Sequence, residues 1–250
     1  VSTLLASIAT KAALYVLARI LFTIFGGVPD VVTIALSNVI APLAMCGIFV
    51  GTIMAIYEAD IKKLFAHSSV AQVGYIALGF GLGTPAGVSA GFIHIANHAL
   101  IKGGIFMAIG GFVAALGARA SLDRLTGIGR RLPLTATAFL ICSLSLAGLP
   151  LTAGFISKLY LVRAILESES YVILAVVLVS SALSVVYLWK IMEVMWMQPA
   201  PAKSTKLVEN PAIYLPLWIV AFGNIWFGVD AGWLVTASQM AAVALFGGGA

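Results

Sequence analysis

Apolar residues run along this chain in long stretches, and most charged positions fall between them. Reading each stretch out to its bounding charge, Pro or Gly gives seven predicted helices, at about residues 2–25, 31–56, 66–83, 87–116, 133–165, 171–197 and 211–230. Most reach the roughly 20 residues that a helix rising about 1.5 Å per residue needs to cross about 30 Å of hydrocarbon. The third is short and rich in glycine, at Gly74, Gly79, Gly81 and Gly83, whereas the fifth is long and interrupted at Gly148-Leu149-Pro150-Leu151. A Pro inside a helix removes one backbone donor and clashes with the preceding turn, so a break is expected at Gly148 and Pro150. Unwound backbone at membrane depth is tolerated only where protein or a water-filled cavity satisfies its N–H and C=O groups. The break therefore marks either a pathway or a plain kink in a packing helix. The tail 231–250 is apolar but ends in Gly247-Gly248-Gly249-Ala250, and it is expected to lie along an interface or be disordered, not to form a span.

Composition agrees with lipid as the solvent. With 62% apolar and 9% charged residues, the chain cannot coat a water-facing globule. The fold class expected is an all-α integral membrane protein, a single transmembrane domain over residues 1–250. Cys46 and Cys142 lie inside apolar runs without metal-ligand spacing and read as packing residues. Val1 leads straight into the first apolar run without an initiator Met or a cleavable leader pattern, so the sequence is expected to be part of something longer.

The net charge of +5 brings nucleic acid to mind, but the basic residues are scattered between apolar runs and form no patch with interleaved aromatics. They read as topology signals. Alternating the loops places Lys62, Lys63, Arg119, Arg124, Arg130, Arg131, Lys190, Lys203 and Lys206 on one side and only Arg19 and Arg163 on the other, nine against two. By the positive-inside rule the first side is cytoplasmic, which starts residue 1 in the cytoplasm and ends the chain outside. Such a chain is expected in a bacterial-type inner membrane or its equivalent.

Ionisable groups inside a span are costly, about 2.5–3.5 kcal/mol each on insertion scales, so their default reading is functional. Lys11 sits near the middle of the first span, with Ser7 one turn before it. In the fourth span His94, His98 and Lys102 recur every four residues. At about 100° per residue they drift only about 40° per step and share one face, with Asn97 adjoining it. Successive groups rise about 6 Å, a distance one or two waters bridge. Neutral histidine accepts a proton at one nitrogen and donates from the other, and a buried lysine is easily neutralised, so this face suits proton relay. Lys158 follows the break by eight residues and has Ser157 beside it. An ionisable group next to a helix discontinuity is where transporters place ion sites.

Two other readings of the histidines stay open. Histidines at i and i+4 are a familiar zinc geometry, but no third ligand is apparent, and a cationic Lys102 one turn on would repel a dication. They also serve as satisfied core residues in many helices. Glu58 and Asp60, ahead of Lys62 and Lys63, read as a solvated helix end, and Glu193 is the only acid deep in a span. Neither a nucleotide-binding glycine pattern nor a cysteine cluster or haem ligand pair is apparent, so no cofactor is assigned to this chain.

Three stretches carry a resemblance. They are Glu58-Ala-Asp-Ile-Lys-Lys-Leu-Phe-Ala-His-Ser-Ser-Val-Ala-Gln-Val-Gly-Tyr75, the His94/His98/Lys102 helix, and Leu144-Ser-Leu-Ala-Gly-Leu-Pro-Leu-Thr-Ala-Gly-Phe-Ile-Ser-Lys158. The chain resembles the large antiporter-like membrane subunits shared by Mrp-type cation/proton antiporters, energy-converting hydrogenases and respiratory complex I. Its Gly-Phe-Ile-Ser-Lys-Leu-Tyr run is most like the D-type subunit of Mrp antiporters. The resemblance implies the later part of a fold of about fourteen helices with two inverted five-helix repeats, each holding a broken helix. Lys11 then falls on the helix closing the first repeat, and His94, His98, Lys102 and Lys158 belong to a complete second repeat. The glutamate–lysine pair of the first repeat has no counterpart here, so this segment resembles the output half of a proton route.

The function expected is proton translocation through this Lys/His relay, within a multisubunit monovalent cation/proton antiporter exchanging Na⁺ or K⁺. The expected partners are other membrane subunits, the transported ions and the lipid bilayer. A proton-pumping subunit of a complex I-like oxidoreductase or membrane-bound hydrogenase is the alternative, with the redox chemistry held by partners. A structural scaffold retaining unused charges is the third.

Overall fold

A computed structural model describes residues 2–26, 28–200 and 207–247. Lys203 and Lys206, counted above among the basic loop residues, and Gly248, Gly249 and Ala250 of the tail lie outside the described residues. Among the described residues the chain is helical and its only β pairing is one isolated bridge, Asp60 with Ser121.

Among the described residues nine long helices form the bundle, with two short helical turns, Leu122–Leu125 and Ile128–Arg131, between the fourth and fifth. Helix α1 covers residues 2–24 and passes through two π-helical turns, Leu5–Ala9 and Ile20–Ile24. Helix α2, residues 29–57, has a third at Leu36–Ile40. Helices α3 (Ile61–Gly81), α4 (Pro85–Leu116), α5 (Pro133–Ala147) and α6 (Ala153–Glu167) follow. Helix α7 spans residues 171–197, and α8 (Pro211–Val229) and α9 (Gly232–Gly247) close the chain. Five helical stretches are long and apolar enough to cross a membrane: Leu5–Ile24, Val32–Tyr57, Pro85–Leu116, Tyr171–Met197 and Pro211–Val229. Helix α3 falls outside this set by composition, and the two halves of the broken helix by length.

Three elements differ from expectation, each for a local reason. Helix α3 starts about five residues earlier than predicted, because Asp60 caps it: its carboxylate accepts from the Lys62 and Lys63 amides at 2.9 and 3.2 Å. Lys62 and Lys63 lie in its first turn, the solvated helix end expected of this run. Between Gly232 and Gly247 the tail is an ordered helix; α9 packs against α4, burying Leu234, Val235, Ser238, Ala242 and Leu245.

The third difference concerns the break. Helix α5 ends at Ala147, before Pro150 is reached, on Gly148 in the left-handed region at φ +91°. The Gly148 amide bonds the Ser145 carbonyl at 3.0 Å and the Leu149 amide bonds the Leu144 carbonyl at 3.1 Å, closing the helix in a Schellman-type turn. Leu151 also takes a positive φ of 67°. Glycine terminates the helix before proline is reached, and Leu151 in the left-handed region keeps it from resuming.

Helix α4 is the axis of the bundle and packs against α3, α5, α6, α8 and α9. Thr84 caps it by accepting from the Gly87 amide at 3.1 Å, Pro85 occupies its first turn, and Gly117 at φ +63° ends it. Its 32 residues measure about 48 Å, long enough to bury a line of polar groups far from both ends. The loops carrying the basic residues meet at one end of the bundle. The Ile61 amide bonds the Ala120 carbonyl at 3.2 Å, Gly127 bonds Val194 at 3.0 Å, and Lys190 Nζ donates to the carbonyls of Ile56 and Glu58.

Candidate functional site: a buried lysine and histidine line

His94, His98 and Lys102 share one face of α4 and are 3%, 0% and 0% exposed, which rules out snorkelling for Lys102. Their hydrogen-bond partners come from two other helices, α3 and α6. His94 Nε2 lies 3.0 Å from Gln72 Oε1 on α3, and its Nδ1 lies 2.9 Å from Ser157 Oγ on α6. Ser157 Oγ also donates to the Gly154 carbonyl at 3.0 Å. Lys102 Nζ donates to the Phe65 carbonyl at 2.7 Å and to Ser68 Oγ, and lies 5.0 Å from the Phe65 ring centroid.

The hydroxyl of Ser157 has a single proton, which gives this corner two states. With a protonated His94, Nδ1–H donates to Ser157 Oγ, Nε2–H donates to Gln72, and the Ser157 hydroxyl stays on Gly154, so every group is satisfied. With a neutral ring protonated at Nε2, the Ser157 proton is claimed by both Nδ1 and the Gly154 carbonyl. The protonation state of His94 thus decides whether Nδ1 competes with the Gly154 carbonyl for that hydroxyl proton.

His98 stacks under His94 with ring centroids 5.9 Å apart and an interplanar angle of 14°. Among the described residues neither of its ring nitrogens has a hydrogen-bond partner, although the ring is fully enclosed. A buried imidazole with no protein partner calls for water, which pairs such groups in protein interiors.

Lys158 is held at the break itself. Its Nζ donates to the Ala147 carbonyl, an acceptor freed where α5 ends, at 2.8 Å, and sits 5.4 Å from the Tyr75 ring centroid. Gly148 makes room for it, since a Cβ there would lie 2.9 Å from Lys158 Cδ. Asn97 Nδ2 donates to the Ala153 carbonyl at 2.6 Å, and the Gly154 amide donates to Ser145 Oγ at 3.1 Å, so the first turn of α6 is tied to α4 and α5. Lys11, 4% exposed, donates to the Ala6 carbonyl within the first π-helical turn. Ser7 faces α4 at Gly103, where an added Cβ would lie 3.3 Å from its hydroxyl. Lys11 is near enough to interact electrostatically with His94, His98 and Lys102.

Of the five ionisable groups singled out from the sequence, three lie on α4, and Lys11 and Lys158 come from helices packed against it. Their partners on α3 were not singled out. Ser68, Gln72 and Tyr75 recur at i, i+4 and i+7 in a helix otherwise largely apolar beyond its first turns, a spacing that marks one polar face.

Residues 1–184 match the family described as NADH:quinone oxidoreductase/Mrp antiporter, TM. The chain belongs to this family. It is an integral membrane protein. Subunit N of NADH-quinone oxidoreductase from Desulforudis audaxviator is 39% identical over 207 residues, covering 83% of this chain and 40% of that protein. Among solved structures, the Mrp complex from Dietzia sp. includes a chain of similar fold at TM-score 0.87 and 26% identity, covering 99% of this chain and 53% of that one. An archaeal membrane-bound sulfane sulfur reductase includes another, at TM-score 0.85 and 30% identity, covering 98% of this chain and 49% of that one. The chain therefore spans about half the length of these relatives.

Proposed function

We propose that this chain carries protons through the membrane along the line formed by Lys11, Lys102, His98, His94 and Lys158, as one membrane subunit of a multisubunit complex. The observation that supports it most is the enclosed column on α4, joined through Ser157 to the broken helix that holds Lys158. A scaffold has no use for buried lysines whose charge is so costly. Each member of the line accepts and releases a proton without leaving its place. The end of the bundle where the basic loops meet is the cytoplasmic one.

Two couplings compete. Likeness over 99% of the chain to part of an Mrp complex supports exchange for a monovalent cation such as Na⁺ or K⁺. Relatives named NADH-quinone oxidoreductase subunit N support a pump driven by electron transfer in partner subunits. Vesicles carrying the complete complex separate them. A Na⁺ or K⁺ pulse that moves protons without an electron donor indicates exchange, and acidification that requires donor and quinone indicates the pump. In either case Lys102→Ala abolishes proton flux while the complex still assembles; undiminished flux would falsify the proposed line.

A further inference from the structure

Outward of the corner where His94 meets Ser157 lies a pocket of about 400 Å³ between α4, α6 and α9. It sits at the end of the bundle opposite the basic loops, walled by Ser89 near the start of α4, by Tyr160, Arg163, Ala164 and Glu167 toward the end of α6, and by Gln239 on α9. Ser89 is its innermost member on α4, and Tyr160 on α6. Ser89 is five residues, about 7.5 Å, from His94 along α4, and Tyr160 is three residues, about 4.5 Å, from Ser157 along α6. Ser157, Tyr160, Ala164 and Glu167 recur at i, i+3, i+7 and i+10, so one stripe of α6 runs from the His94 contact into the pocket.

Ser89 is 4% exposed, and its hydroxyl has no hydrogen-bond partner among the described residues. A hydroxyl buried unpaired costs free energy, and a cavity of this size has room for several waters at about 30 Å³ each. The rim carries a largely exposed ion pair, Arg163 Nε to Glu167 Oε1 at 3.4 Å, together with the Gln239 amide. Hydrocarbon gains nothing at a mouth set with a guanidinium, a carboxylate and an amide, whereas water pairs with all three.

We propose that this pocket is the water-filled outer mouth of the proton line, with Ser89 binding its innermost water and α9 forming its outer wall. It rests on the proton-conducting reading above. Whichever member of the line charges His94, its Nδ1–H passes a proton to Ser157 Oγ while the Ser157 hydroxyl gives its own to a water one turn outward. Each water hands on one proton as it takes one, and a proton leaves at the rim. His94 ends neutral, Ser157 keeps a single proton, and the number of waters is unchanged.

The test uses cells carrying the complete complex with Cys46 and Cys142 replaced. Ser89→Cys is treated with a membrane-impermeant methanethiosulfonate, which reacts with thiolates that water reaches. Proton flux is then read by a pH-sensitive dye in vesicles made from those cells, against the unlabelled variant and with Lys102→Ala as the zero. Ser89→Cys is expected to react from the same face as Arg163→Cys, to lose its flux on reaction, and to regain it when the mixed disulfide is reduced. Ile93→Cys, one turn further in and fully buried beside Leu234 and Val235, is expected to stay unlabelled. Ala164→Cys, on the facing wall, takes the place of Ser89→Cys should that variant fail to assemble. The mouth is overturned if the pocket cysteine does not react, if it reacts only from the face opposite Arg163, if Ile93→Cys reacts as readily, or if the labelled protein conducts undiminished. Should Lys102→Ala itself conduct, the proton-conducting reading fails and the mouth with it; should it be silent while labelled Ser89→Cys conducts, only the mouth fails.

Discussion

Ser157 is where one proton has to be in two places. Its hydroxyl serves the Gly154 carbonyl at 3.0 Å and lies 2.9 Å from His94 Nδ1. Ser157→Ala removes that choice and leaves a buried imidazole nitrogen without a protein partner, a loss of about 1–3 kcal/mol in buried settings. Flux driven through the His94 column is expected to fall by about tenfold, one such hydrogen bond expressed as a rate. Ser157→Thr, which keeps the hydroxyl, is expected to restore most of it. An unchanged rate in Ser157→Ala would place the proton elsewhere. This corner also shows how far the sequence speaks at the residue scale. The helical period aligned His94, His98 and Lys102 because they lie on one element, and it flagged Lys158 and Ser157 through the break. Gln72 lies 22 positions before His94, on another helix, so no periodicity connects them. Their pairing is decided by which helices pack together.

At the element scale the broken helix is governed by glycine. Gly154 opens α6 so close to the end of α5 that a Cβ built on it would lie 1.7 Å from the Ser145 carbonyl oxygen. No rotamer relieves a clash with backbone. Gly154→Ala is therefore expected to push the two halves apart, at roughly the 1–3 kcal/mol of an overpacked interior or more, lowering the thermal midpoint in detergent and the flux together. Pro150→Ala is expected to do little, because Gly148 at φ +91° and Leu151 at φ +67° keep the chain from resuming the helix whether or not proline is present. A Pro150→Ala protein with the midpoint and flux of the parent checks this, and a large loss in either would return the break to proline. The sequence signalled the discontinuity through Gly148-Leu149-Pro150 but not which residue makes it. A glycine past a helix end followed by proline is the common terminator, and here it sits inside what reads as a single span.

For the whole molecule the strongest signal in the sequence was the burial pattern, and the least legible was what lies beyond a single span. Apolar run length recovered nearly every helix. It missed the packing of α9 because a segment of 16 residues is too short to read as crossing, yet one face of it fits against α4. The charge pattern, in contrast, is a property of the assembled bundle. Hydrogen bonds from Ile61 to Ala120 and from Gly127 to Val194, with Lys190 on the carbonyls of Ile56 and Glu58, gather the basic loops at one end. Arg163, paired with Glu167 at 3.4 Å and largely exposed, belongs to the other. If that first end faces the cytoplasm, a cysteine introduced for exposed Lys62 in a variant with Cys46 and Cys142 replaced will resist a membrane-impermeant maleimide in intact cells and react only after permeabilisation. One introduced for Arg163 will react from outside in intact cells. The opposite pattern would invert the orientation and with it the direction in which Lys158 delivers its proton, while both sites reacting from one side would place together two ends that the fold holds apart.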